Sequence, residues 1–209
     1  EGITFLLIPM KQDGIEVTPI ITLGGSHSVN MVHITEVKVP VENRIGEEGK
    51  GWTYAKGLLQ HERTGLAGIS RSIVALENLK RQAQSVTRGN RTLMDDPAFK
   101  SKVAELEIDL LAVEFTELRS LAAAASGDDP GPESSILKLK GTEIQQRIQK
   151  LTVEAGGIYS AAWGVPVGHK FARSGMQGYL GGRANTIYGG ASEVQKDVIA
   201  KNVLGLKRS

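Results

Sequence analysis

Residues 59–76 read LQHERTGLAGISRSIVAL, and this stretch decides the class of fold. Leu59, Glu62, Leu66, Ile69, Ile73 and Leu76 recur at a three-four-three-four-three spacing. That is the period of one helical face, whereas a strand needs a period of two. The spacing predicts one long helix with a single seam. Glu62 occupies that seam, with Leu59 a turn before it and Leu66 a turn after. A carboxylate turned to a core is desolvated, which raises its pKa and makes it a competent base near neutral pH. Spacing alone also allows Glu62 to pair with Arg63 or another cation at a helix end and does not decide between the two.

Downstream the helical period continues. Asp96 as N-cap and Pro97 at the first position open a second helix that carries Phe99, Val103, Leu106, Leu110 and Val113 inward and stops at Ser126-Gly127. A polar linker, Ser126 to Ser135, leads to a third helix from near Pro132. This one buries Leu137, Ile144, Ile148 and Leu151 and ends at Gly156-Gly157. A fourth spans Gly168 to Leu180. Ser192 and Gln195 are spaced as a capping box for the last helix, with Val194, Val198, Ile199 and Val203 on its apolar side. Long helices with short joints imply an up-and-down antiparallel bundle.

Upstream the pattern is β-rich: Ile3 to Pro9, Ile15 to Thr22 and Asn30 to Val39, punctuated by Asp13-Gly14 and Gly24-Gly25. The third run alternates, with Val32, Ile34, Val37 and Val39 and a slip near Glu36, as a half-buried antiparallel strand does. Three strands do not make a sheet with two covered faces, so the segment reads as the trailing part of a β-domain. Composition changes across Gly46 to Gly51. The division expected is residues 1–46 for the β part and 47–209 for the helical bundle, giving a mainly α fold. The opening at Glu1, directly into an apolar run, reads as a piece of something longer.

Among 209 residues there is no cysteine, which removes disulfides, thiolate metal sites and thiol nucleophiles. The histidines His27, His33, His61 and His169 have no metal-ligand spacing, so no metal is expected. A formal charge of +2 without a dense basic run argues against nucleic acid, and Lys196, Lys201, Lys207 and Arg208 suit the carboxyl end of a helix. No apolar stretch is long enough to cross a bilayer, and a cytoplasmic location is expected.

Two glycine pairs remain. Ile187-Tyr188-Gly189-Gly190-Ala191-Ser192 leaves backbone N–H groups available before a helix, able to hold an anion or a polarised carbonyl oxygen, or simply to make a tight turn. Gly156-Gly157, with Tyr159 and Trp163 beyond it, is a weaker candidate, since glycine pairs end helices routinely.

The stretch YLGGRANTIYGGASEVQKDVIAKNVLGL (179–206) resembles the carboxyl-terminal signature of acyl-CoA dehydrogenases, and GGSHSVNMVHITEVKVPVENRIGEEGKGW (24–52) resembles their β-domain-to-helix junction. The resemblance runs end to end. It implies a carboxyl-terminal helical bundle and part of a middle β-domain, bound FAD, and dehydrogenation of an acyl-CoA thioester to a trans-2-enoyl-CoA. A glutamate takes the α-proton and a hydride passes to flavin N5. Most of the family carries that glutamate in Ile-Tyr-Glu-Gly-Thr-Ser, where this chain has Gly189. One branch carries it instead in a Glu-Arg pair on the first long helix of the bundle, matching Glu62-Arg63. By the same resemblance the N–H of Gly189 reaches the thioester carbonyl, Tyr188 lines the acyl pocket and Arg63 lies near the substrate entrance. Ala191, where a threonine is usual, with Ser192, Glu193, Gly156 and Gly157 would contact FAD.

Two departures bear on the cofactor. The Arg-x-x-Phe-Gly segment is not found in Ser85 to Asp95, and Val153-Glu154-Ala155-Gly156-Gly157 lacks the family's glutamine. Their loss, with Tyr-Gly-Gly, resembles bacterial heteromeric members in which two homologous subunits share each flavin. The implied partners are therefore an acyl-CoA, an electron-transfer flavoprotein as acceptor, and either a homo-oligomer (dimer or tetramer) or a heterotetramer with a homologous subunit. The alternative reading is a non-catalytic partner that shares FAD. In either case this stretch of chain alone is expected to be inactive.

Overall fold

A computed structural model of the chain describes residues 2–127, 131, 133–162, 165 and 167–206, excluding the side chains of 60–66. Expectations for Pro132, Trp163, Lys207, Arg208 and the side chains of His61, Glu62, Arg63 and Leu66 therefore lie outside the described residues. The fold is mainly helical, an up-and-down bundle preceded in sequence by short antiparallel strands. It divides into two compact units, Glu1–Glu62 and Arg63–Ser209.

In the first unit, β1 (Phe5–Leu6) pairs with β4 (Arg44–Ile45), and β2 (Ile15–Ile21) pairs with β3 (His27–Ile34), all antiparallel. The strands are shorter than the alternation suggests. β3 ends at Ile34 because Glu36 adopts φ 51°, a left-handed conformation that breaks the extended chain at the slip noted in the sequence. The expectation of a half-buried strand is also overturned. Every residue of β3 is exposed, since a two-stranded ribbon has no neighbouring layer of its own to cover a face. Helix α1 (Gly51–Leu66) starts from bonds to the strand segment: Ile3 O accepts the Gly51 N–H at 2.7 Å and Thr4 Oγ1 accepts the Gly49 N–H at 3.1 Å.

The single long helix expected from residues 59–76 is in fact two, α1 and α2 (Ile69–Ser85), separated at Ala67-Gly68. Gly68 takes φ 58°, and the Ala67 carbonyl, freed from the helical ladder, accepts from Gln145 Nε2 at 2.9 Å. Past the break the seam behaves as spaced: Ile69 and Leu76 are buried and Ile73 is partly buried. Helix α3 (Pro97–Ala125) is capped by Asp96, whose Oδ1 accepts the Ala98 N–H at 2.9 Å, and its Phe99, Val103, Leu106, Leu110 and Val113 are all core. Helix α4 (Glu133–Gly156) adds Leu137, Ile144, Ile148 and Leu151. Helices α5 (Lys170–Gly181) and α6 (Ser192–Asn202) pack on α4, joined by a 3-10 turn at Gly182–Thr186.

The capping box expected at α6 does not form. Ala191 is the N-cap and makes no side-chain cap bond. Ser192 Oγ donates instead to Thr186 O at 3.4 Å, and Gln195 turns inward to the preceding loop. The side buried on α6 is the one bearing Ser192 and Gln195, while Val194 and Val203 are exposed and Val198 and Ile199 partly so.

α4 approaches the α1–α2 break so closely that a Cβ on Gly141 would stand 2.4 Å from Ala67 O. Alanine gains about 1 kcal/mol over glycine in helix propensity. A clash with backbone cannot be relieved by a rotamer, however, and overpacking costs about 1–3 kcal/mol. Gly141→Ala is therefore expected to lower stability in urea denaturation. A second expectation concerns pH. Burial, helped by Glu114, raises the Glu117 pKa. Its contribution is present below the ordinary carboxylate pKa and lost as pH rises through the raised value. Glu117→Gln should accordingly raise the thermal midpoint at pH 7 and leave it unchanged at pH 4.

Candidate functional site

The apolar seam of α4 is accompanied by a second, polar one. Lys138, Thr142, Gln145 and Gln149 follow at four, three and four residues, and with Gln146 they face the segment from Gly182 to Gly190. Gln145 Oε1 accepts from Asn185 Nδ2 at 2.8 Å, and the Tyr188 hydroxyl donates to Asn185 Oδ1. Gln146 Nε2 donates to Gly182 O at 3.0 Å. Arg183 stacks 4.2 Å over the Tyr179 ring and donates to Gln146 and Gln149. Each bond contributes about 0.5–1.5 kcal/mol net, but leaving a buried partner unmatched costs about 1–3 kcal/mol. The network therefore specifies one loop conformation more than it stabilises the fold.

At the end of this segment stands Lys138, fully buried. Its Nζ donates to Asn185 O at 3.1 Å and to Gly190 O at 2.7 Å. Burial pushes its pKa below the ordinary lysine value, and Glu193 partly opposes this. Gln195, also fully buried, donates from Nε2 to Gly189 O at 3.3 Å and to Gly190 O at 3.4 Å. Gly189 and Gly190 have φ of 65° and 90°, and a Cβ on Gly190 would meet Gln195 Nε2 at 2.2 Å. Among the described residues none accepts from the N–H groups of Gly189, Gly190 or Ala191. With the carbonyls of Gly189 and Gly190 held inward, the trans peptide planes turn the next N–H groups the other way. The loop thus presents backbone donors ahead of the positive end of α6 and can stabilise an oxyanion or a polarised carbonyl.

Tyr188 and Asn185, with Arg71, Ala75, Gln145 and Gln149, line a cavity of about 330 Å³. The sequence candidates are brought together only in part. Tyr188, Gly189, Ala191, Ser192 and Glu193 share the loop and helix start. Gly156 and Gly157 lie at the other end of α4, about 27 Å along the axis from Lys138 at 1.5 Å per residue. The glycine at 156 answers to packing, because a Cβ there would stand 2.1 Å from Ser160 Oγ and 2.8 Å from Ala172 Cβ. Gly157 has φ 57° and open space around it. For an anionic cofactor, the α6 start therefore fits a pyrophosphate, Gly157 leaves room, and Gly156 is accounted for without one. No cluster of metal-ligating side chains occurs among the described residues, and no described helix is long and apolar enough to cross a membrane.

Sequence reasoning missed Lys138, Gln145, Asn185 and the inward role of Gln195. The four-three-four polar spacing on α4 was the available signal, running beside the apolar one.

The family model described as acyl-CoA dehydrogenase, C-terminal domain, matches residues 49–204. The chain belongs to the acyl-CoA dehydrogenase family. It is 28% identical over 208 residues to the acyl-CoA dehydrogenase IpdE1 of Mycolicibacterium smegmatis, covering 99% of this chain and 50% of that protein. In structure it is similar to the ChsE4-ChsE5 complex from Mycobacterium tuberculosis, with a TM-score of 0.83, 27% identity, and 99% of this chain against 54% of that one. The steroid ACAD Tcur3481-Tcur3483 matches at TM-score 0.82 and 27% identity, over 99% of this chain and 52% of that one. The chain spans about half the length of the curated relatives it matches.

Asn185 is the shared partner in the loop network, so its truncation leaves Gln145 and Tyr188 unmatched. Asn185→Ala should cost about 1–3 kcal/mol in urea denaturation, and Tyr188→Phe, which removes one donor at a half-exposed site, about 1 kcal/mol or less.

Proposed function

We propose that the protein containing this chain dehydrogenates an acyl-CoA thioester to the trans-2-enoyl-CoA, with Glu62 as the base that takes the α-proton. The observation that carries this reading is the Tyr188-Gly189-Gly190 loop, which offers backbone donors and no carboxylate where most of the family has its glutamate. The base must then come from elsewhere, and Glu62 is the carboxylate on the helical seam that matches the Glu-Arg branch. In this role the Gly189 N–H polarises the thioester carbonyl, lowering the cost of the enolate-like charge as the proton leaves. Tyr188 lines the acyl pocket and Arg63 guards its entrance. FAD, when bound, supplies the acceptor for the β-hydride, with Ala191, Ser192, Glu193 and Gly157 as its contacts from this chain and an electron-transfer flavoprotein reoxidising it. Residues 47–209 form the bundle domain in this reading, in keeping with a family match that begins at residue 49.

A second reading is supported by the packing role of Gly156 and by the two-component complex among the structural relatives. In it the chain is the non-catalytic half of a heteromer and shares FAD with a homologous subunit that holds the base.

Full-length protein, co-expressed with any homologous partner, should lose its flavin absorbance anaerobically when offered a panel of acyl-CoAs. Glu62→Gln should bind the thioester and not bleach. Equal bleaching by both forms would assign the base to another subunit and favour the second reading.

A further inference from the structure

We propose that Lys138 is a positioning residue for the dehydrogenation described above: its buried amino group clamps the two ends of the Asn185-to-Gly190 turn and so holds the Gly189 N–H where it polarises the thioester carbonyl. This rests on the proposed dehydrogenase reading for its catalytic consequence, though not for the clamp itself.

The geometry is specific. One nitrogen reaches Asn185 O at 3.1 Å and Gly190 O at 2.7 Å, carbonyls five residues apart that bracket Thr186, Ile187, Tyr188 and Gly189. The turn contains two successive glycines at positive φ, the residue type with most freedom to lose. Its other tethers, the Ala184 carbonyl that accepts from the Ile187 and Tyr188 N–H, the side chains of Gln145, Gln146 and Tyr188 near Asn185 and Thr186, Ser192 on Thr186 O, and Gln195, each hold one part of it. Gln195 makes two long bonds, and its Oε1 is buried without a partner, so this tether is itself poorly satisfied. Lys138 makes the shortest contact to the loop and is the only one among the described side chains to join both of its ends.

A purely structural role explains the residue poorly. A fully buried lysine with no carboxylate in hydrogen-bond range among the described side chains is costly, and an apolar residue of similar length would fill the same volume without that cost. What only a donor supplies here is the pinning of the two carbonyls. Through the rigid peptide planes the pinned Gly190 carbonyl sets where the Ala191 N–H points and the Gly189 carbonyl held by Gln195 sets the Gly190 N–H, while closing the turn at both ends confines the Tyr188–Gly189 plane that carries the Gly189 N–H. A misplacement of about 1 Å at such a donor is enough to cost on the order of 10²-fold in rate.

The test uses full-length protein with its partner, as wild type, Lys138→Met and Lys138→Gln, the last retaining a shorter donor in case the methionine variant does not fold. Backbone hydrogen exchange across residues 186–191 reads the clamp, and 4-dimethylaminocinnamoyl-CoA, whose visible band moves to the red when its carbonyl accepts hydrogen bonds, reads the donor. Exchange at the Ile187 and Tyr188 amides, the ones bonded to Ala184 O, is expected to quicken at least about tenfold while the α3 and α4 core amides keep their protection, a local opening. The red shift of the bound probe should shrink, and kcat should fall roughly 10²-fold with KM little changed. Unaltered exchange at the Ile187 and Tyr188 amides in whichever variants fold overturns the clamp, whether or not the enzyme is active. Faster exchange with an undiminished red shift and kcat overturns the positioning role. A wild type that neither shifts the probe nor bleaches with any acyl-CoA sinks the dehydrogenase reading and, with it, the catalytic consequence, while the exchange result still decides the clamp.

Discussion

Helix α4 is buried along two faces at once, and the rest of the bundle is arranged around that constraint. Its apolar face, Leu137, Ile144, Ile148 and Leu151, meets the core side chains of α2 and α3. Full burial of such residues contributes about 1.5–3 kcal/mol each. Its other face carries Lys138, Thr142, Gln145 and Gln149 against the turn before α6 and the start of α2. Polar burial adds little net stability, yet any unmatched partner is penalised, so this face selects which conformation the neighbouring segments adopt. The first face holds the fold together and the second one shapes it.

Two irregular places in the bundle answer to the polar face. At Ala67-Gly68 the helix started at Gly51 is interrupted, and the carbonyl left over is taken up by Gln145 while Gly141 makes room for it. At Gly189-Gly190 the chain turns through two left-handed glycines whose carbonyls are held by Lys138 and Gln195. In each case a side chain from another element accepts or supplies the bond that regular secondary structure would have made. The polar tethers on the loop also leave backbone N–H groups facing away from the protein's own acceptors, which is what a carbonyl-polarising site requires.

In the proposed dehydrogenase reading, a glycine at this loop position separates two duties, carbonyl polarisation and proton abstraction. The backbone donor needs only a defined peptide plane, so the loop can keep it without a side chain. The proton acceptor needs a desolvated carboxylate, which a helix seam can provide. That separation is consistent with a base on the first bundle helix or on a second subunit, and the loop places no demand on which.

What the amino-acid order determined was the regular part. Periodicity and end signals located α3 between Asp96 and Ser126, its five core residues, the apolar face of α4 and its stop at Gly156-Gly157, because those features depend on local dihedral preferences and a repeat of 3.6. The family motifs were legible for the same reason, being contiguous. The break at Ala67-Gly68, the exposure of β3, the inward turn of Gln195 and the burial of Lys138 were decided only by tertiary structure. An uninterrupted apolar seam cannot reveal a carbonyl claimed by a glutamine 78 residues away. A lysine on a helix reads as solvent-facing until the chain that returns 47 residues later brings two carbonyls to it. The polar spacing on α4 marks which side chains share a face, but a hydrogen bond to a distant segment carries no local period, so which carbonyls those side chains meet was decided only when the fold brought them together.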